Sequence, residues 1–147
     1  MSIQAINDIQ DEIIDEFAVL SGDKESTVFY IMELGNNLEP LDDIYKTDSN
    51  LIKGCQSKVW LEAILSHDRL ILKADSNTDI TKGLISLLIR VLSGQTLEDI
   101  INADLYFIEK IGMHNVIGSQ RSNGLASMIK QIRLYAIAYK TKLQSQS

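Results

Sequence analysis

The chain carries few of the residues that catalysis and metal binding rely on. Its 147 residues include one cysteine, one proline, one tryptophan and two histidines. A lone cysteine, Cys55, excludes an intramolecular disulfide, so any sulfur or redox chemistry at that thiol involves a second molecule. His67 and His114 have no ligand spacing with each other or with Cys55, which argues against a metal centre. His67 precedes Asp68 and reads as a turn residue, and His114 follows Gly112-Met113 in a connector. There is no Gly-rich phosphate loop, no Gly-x-Ser-x-Gly elbow and no carboxylate pair that stands out from solvated faces. The longest apolar run, Gly83 to Val91, is too short to span a bilayer and contains Arg90. Met1-Ser2-Ile3-Gln4 leads into Asp8, Asp11 and Glu12 with no basic segment, so it does not read as a signal peptide. One cysteine and no export signal predict a cytoplasmic protein.

Bases are scarce in the first third. Residues 1–50 hold 12 acids and 2 bases (net −10), and residues 51–147 hold 8 acids and 12 bases (net +4), which together give −6. That balance argues against nucleic acid, because neutralising phosphates requires a basic surface. The acidic third reads either as a solvated helix face or as a surface that steers a basic partner. The chain is 45% hydrophobic, enough for a core without disulfides, and its length fits one domain over residues 1–147.

Periodicity predicts the elements. Ile3, Ile6, Ile9, Ile13, Ile14 and Phe17 recur at helical spacing, with Gly22 as the stop. A second helix is predicted from about Asp23 to Asn36, with Val28, Phe29, Ile31, Met32 and Leu34 apolar and with Gly35 and the Asn pair at 36–37 stopping it. Pro40 opens a polar connector. Val59, Leu61, Ala63 and Leu65 alternate with polar or outward residues, His67-Asp68 make a turn, and Leu70, Leu72 and Ala74 alternate again. This is a hairpin with one buried face. Ser76-Asn77-Thr78-Asp79 offers N-cap oxygens for a helix carrying Ile80, Leu84, Leu87, Leu88, Val91 and Leu92. Thr96-Leu97-Glu98-Asp99 resembles a capping box for a short helix, and Leu105 to Ile111 reads as an apolar connector. Ser119 is the expected N-cap of a long last helix with the stripe Leu125, Met128, Ile129, Ile132, Tyr135, Ala136 and Tyr139. The order predicts an α+β fold, a small antiparallel sheet covered by helices.

The most informative segment is Lys53-Gly54-Cys55-Gln56-Ser57-Lys58-Val59-Trp60. Gly54 permits a sharp turn just before the thiol. The polar flanks place Cys55 on a loop at the mouth of a strand, where reactive groups tend to sit. Lys53 and Lys58 are placed to favour a thiolate. Free cysteines are also commonly inert and buried, so the local residues leave both readings open.

Four blocks in order resemble the SufE family, the sulfur-acceptor proteins of iron–sulfur cluster assembly. They are Glu33-Leu34-Gly35 followed by Leu38; Ile52 to Trp60, similar to a Gly-Cys-Gln-Ser-x-Val-Trp signature; Lys82-Gly83-Leu84-Ile85; and Arg121-Ser122-Asn123-Gly124-Leu125. The chain departs from the family pattern at Asn77, where Asp is frequent, and at Gly118-Ser119, where Ser or Thr then Pro is frequent.

The resemblance implies a SufE-like domain whose Cys55 takes sulfur from the persulfide of a pyridoxal-phosphate cysteine desulfurase (SufS-like). It stimulates that enzyme and passes sulfur to a downstream iron–sulfur scaffold. It implies no cofactor or metal on the chain, and a cysteine resting in an apolar pocket that swings out at the partner. Gly54 is then a hinge or a plain turn glycine. Gln56 and Ser57 either hydrogen-bond the sulfur or the partner's loop, or satisfy the turn. Arg121 is either a partner contact or a first-turn residue paired with an acid, and Trp60 is a packing residue. The competing readings are a thiol peroxidase or redox switch using Cys55, and a binding module with an inert cysteine. A scaffold that builds clusters itself is disfavoured by the single thiol.

Overall fold

The computed structural model describes residues 3–146. Helix α1 (Ile3–Ala18) buries Ile6, Gln10, Ile13 and Phe17, one turn apart. Gln10 is the unexpected member. Its Nε2 donates to the Asp104 carbonyl at 3.0 Å and its Oε1 accepts from the Phe107 N–H at 3.1 Å, so a fully buried amide is satisfied on both sides. The helix ends at Ala18, before Gly22, and the chain turns through Ser21 and Gly22 at positive φ.

Helix α2 (Lys24–Asn36) starts as predicted: the Asp23 carboxylate accepts the Ser26 N–H at 2.9 Å. Its buried face differs from the expected apolar one. Thr27, Ile31 and Gly35 are inside, whereas Phe29 is 61% exposed. The helix ends at Asn36 with Asn37 as its C-cap, as predicted, and Gly35 is its last buried residue. It lies where α2 crosses α3 (Asp79–Leu92), opposite Gly83. A Cβ on Gly83 would sit 2.0 Å from the Ile31 carbonyl oxygen, and one on Gly35 would sit 2.7 Å from the Gly83 nitrogen. Two glycines therefore let the two backbones touch. Helix α3 is buried on most of its circumference and packs against α1, α2 and the sheet.

The sheet is antiparallel, in the order β1 (Val59–Ser66), β2 (Arg69–Ser76), β3 (Gln95–Thr96). The hairpin register runs from Val59 opposite Ser76 to Ser66 opposite Arg69, with His67 in the turn at φ 59°. Val59, Leu61, Leu70, Leu72 and Ala74 face the core. At the far end of β2, Asp75 pairs with Lys46 at 2.9 Å and Lys82 at 3.3 Å. Burial works to raise its carboxyl, but the donors Lys46, Ser76 and Lys82 outweigh it and hold it below the usual carboxylate range.

The two-residue β3 is too short to show a period in sequence. Thr96 caps α4 (Leu97–Asn102) by accepting the Asp99 N–H at 3.1 Å, as the box predicted. The expected connector contains a short helix, α5 (Phe107–Ile111). The last helix, α6 (Met113–Ser145), begins earlier than Ser119 and takes in His114. It is interrupted at Gly118 (φ 82°, ψ 171°), so the break lies one residue before the expected cap, and Ser119 makes no capping bond.

Candidate functional site: a cleft beside Cys55

The loop 53–58 is tied at its base. The Ile52 N–H donates to the Val59 carbonyl at 2.9 Å. On the other side, the Lys58 N–H donates to Asn77 Oδ1 at 3.0 Å, while Asn77 N–H and Ser76 Oγ donate to the Lys58 carbonyl at 3.2 and 2.8 Å. Asn77 thus has a concrete role, as a clamp between the end of β2 and the cysteine loop. Ser57 Oγ accepts from Thr78 Oγ1 at 2.9 Å and Thr81 Oγ1 at 3.3 Å. Thr78 is the N-cap residue of α3 but makes no side-chain cap bond. Its hydroxyl is spent on the loop.

Between these anchors Gly54 turns at φ +93°. A Cβ there would lie 2.4 Å from Ser127 Oγ on α6. The positive φ favours glycine, and a Cβ there would also force the Ser127 hydroxyl to turn aside. The turn lays Cys55 against α6, where its Sγ donates to the Gly124 carbonyl at 3.5 Å. Gly124 is buried, and a Cβ on it would be 3.6 Å from the sulfur.

The thiol opens on a cleft of ≈ 520 Å³ lined by Cys55, Gln56, Ser57, Thr78, Thr81 and Arg121, with Ile80, Ile117 and the Gly118–Gln120 break completing it. The expected apolar pocket is therefore only partly apolar: two isoleucines face a wall of hydroxyls. Burial pushes the Cys55 thiol up from its ordinary value, and no charged neighbour offsets it. Lys53 and Lys58 do not activate the resting thiol, contrary to the expectation from their spacing.

The structure gathers Cys55, Gln56, Ser57 and Arg121 around one cleft, with Gly54 immediately behind. Ser57 satisfies the loop. Gln56 is exposed and bonded to no described residue. Arg121 is exposed and has no acid partner among the described residues, so the expected first-turn ion pair is absent. His67 lies in the hairpin turn and His114 Nδ1 is 2.8 Å from Ser122 Oγ; neither lines the cleft. Among the described residues no cluster of His, Cys, Asp or Glu could hold a metal. Sequence reasoning missed Thr78, Thr81 and Ser127. The available signal was the pair of hydroxyls three residues apart at the start of α3.

Two outcomes follow for the resting loop. Alkylation of Cys55 by iodoacetamide is expected to be slower at pH 7.5 than for free cysteine. It is expected to rise with pH through an apparent pKa above the ordinary thiol value, since burial favours the neutral thiol; a midpoint below that value would contradict the burial. Gly54→Ala is expected to lower stability by about 2 kcal/mol, from positive-φ strain and the Ser127 contact, and to speed alkylation as the loop leaves α6. Thermal unfolding and the alkylation rate check both.

Residues 11–136 match the family model described as "SufE: Fe-S metabolism associated domain". The chain belongs to the SufE family. An uncharacterised SufE-like protein of Rhizobium meliloti (strain 1021) is 36% identical over 128 residues, covering 84% of this chain and 91% of that one. SufE-like protein 1, chloroplastic/mitochondrial, of Arabidopsis thaliana is 35% identical over 124 residues, covering 84% of this chain and 32% of that longer protein. The solution structure of a hypothetical protein from Thermus thermophilus superposes with a TM-score of 0.73 at 16% identity, covering 90% of this chain and 96% of that one, and supports the fold. Membership places this SufE-family chain in iron–sulfur metabolism. Among the described residues no helix is long and apolar enough to cross a membrane.

Proposed function

We propose that this chain is a persulfide-accepting sulfur carrier, with Cys55 as the acceptor. A cysteine desulfurase supplies a persulfide. The Cys55 thiol gives up its proton to solvent, and the thiolate attacks the outer sulfur. A new S–S bond forms at Cys55, the donor's S–S bond breaks, and the donor cysteine leaves as a thiolate. No external oxidant or reductant is consumed. The carried sulfur then goes to an iron–sulfur scaffold, and the setting we propose is the cytoplasm.

The observation that carries this reading is the placement of the chain's one thiol: half-buried, against a helix backbone, beside an open cleft, on a loop anchored at both ends. A half-buried, neutral thiol is a poor peroxide sensor, because oxidation follows thiolate character and exposure. The same features suit a carrier, whose sulfur is protected until a partner draws the loop out. Gly54, on the unanchored stretch, is the residue we assign to that motion.

The test is a sulfide balance. The chain is incubated with a purified cysteine desulfurase and free cysteine, separated, and treated with a thiol reductant. About one equivalent of sulfide released per wild-type chain is expected for a single acceptor thiol. No released sulfide, with the desulfurase shown active, would overturn the carrier role.

A further inference from the structure

We propose that the face around Cys55 docks on an acidic protein surface surrounding the donor's persulfide, steered there by Lys53, Lys58 and Arg121. This rests on the carrier reading above and adds the charge of the partner's surface to it.

The three cations flank the thiol in sequence or line its cleft, and all three are exposed. None is within ion-pair distance of an acid among the described residues, and they share one face with the cleft. No carboxylate lines the cleft; Asp79 is exposed in the first turn of α3, and Asp75, beside Ser76, is paired with Lys46 and Lys82. The cations do not act on the resting thiol, whose shift is set by burial. They are thus left for something outside the molecule.

The acids of α1 lie towards the other end of α3, whereas Asp43 and Asp75, near the start of β1, are paired with Lys46. Thr81, which holds the cysteine loop, and Arg90, which pairs with Glu12 and Glu16 of α1, are nine residues apart on that helix, about 14 Å along its axis. Asp8, Asp11, Glu12 and Asp15 are exposed on the same α1. The three exposed cations therefore lie at the thiol end of α3 and the exposed α1 acids at its Arg90 end. Such a dipole turns the thiol end towards an anionic surface and the acidic end away from it.

The test is the second-order rate of sulfur transfer from a persulfide-loaded desulfurase, at limiting carrier, from about 20 mM to about 500 mM ionic strength. Three chains are compared: wild type, Lys53→Glu/Lys58→Glu and Asp15→Lys. Wild type is expected to slow as salt rises. The double variant is expected to be at least about ten-fold slower at low salt and to converge with wild type at high salt. Asp15→Lys is expected to stay within about two-fold, and the iodoacetamide rate of the double variant to match wild type. A salt-independent wild-type rate, or a double variant as fast as wild type at low salt, overturns the docking proposal. So does an Asp15→Lys acceleration as large as the double variant's loss, since net charge alone would then be acting. If wild type takes up no sulfur even at saturating concentration, the carrier reading itself fails, and the docking proposal with it.

Discussion

Cys55→Ser is expected to abolish stimulation of a cysteine desulfurase, returning turnover to the level of the enzyme alone. The effect is all-or-none because there is no second thiol to take over. A serine hydroxyl is nearly the same size, but it is not ionised near neutral pH and forms no persulfide. The substitution leaves the fold in place: Cys55 is only half-buried, and its one polar contact is the 3.5 Å bond to the Gly124 carbonyl, which a hydroxyl can replace or lose to water. A stability change within about 1 kcal/mol is expected, as for a partly exposed side chain. The measurement is alanine production from cysteine with a reductant present, alongside thermal unfolding of both chains. Retained stimulation in the serine variant would mean that the domain activates its partner by binding, with an inert cysteine.

Gly83→Ala is expected to destabilise the fold by about 3 kcal/mol, although alanine is the better helix former by about 1 kcal/mol. The new methyl would lie 2.0 Å from the Ile31 carbonyl oxygen and 2.6 Å from the Ile31 side chain. The nearest obstacle is backbone, which no rotamer change can move. Helices α2 and α3 must separate, opening the contact through which α2 covers the centre of the domain. For a domain of this size that is a fall in Tm of roughly 6–10 °C. Gly94→Ala provides the contrast. Gly94 also has positive φ but nothing within 4 Å of its missing Cβ, so backbone strain acts there alone and the loss is expected to be smaller. Equal losses in the two variants would argue against a crowded α2–α3 crossing.

The features legible in the sequence were those set by neighbours within a few residues. The start of α2 near Asp23, the Thr96 cap, the stripes of α3 and α6, and the Val59–Ala74 hairpin all follow from local periodicity and capping chemistry. The cysteine loop lies at the mouth of β1, where its polar flanks and the alternating run after it put it. What escaped depends on contacts far apart in the chain. Gly35 belongs to the segment that ends α2, and its second role, the close approach to Gly83, shows only when the two helices are set together. Gln10 interrupts an isoleucine stripe, and only the Asp104 and Phe107 backbone explains its burial. Lys53 and Lys58 look like thiol activators by spacing, yet Cys55 is laid against Gly124, and its proton affinity follows from burial. Ser127 has no signal of its own; its hydroxyl matters because Gly54 passes beneath it.

The most direct measurement is intact mass of the chain after incubation with a cysteine desulfurase and free cysteine, wild type beside Cys55→Ser. A gain of one sulfur atom on wild type alone, reversed by a thiol reductant, is the predicted result. No gain on either chain, with the desulfurase shown to load a second acceptor, would contradict the assignment of Cys55 as a persulfide carrier.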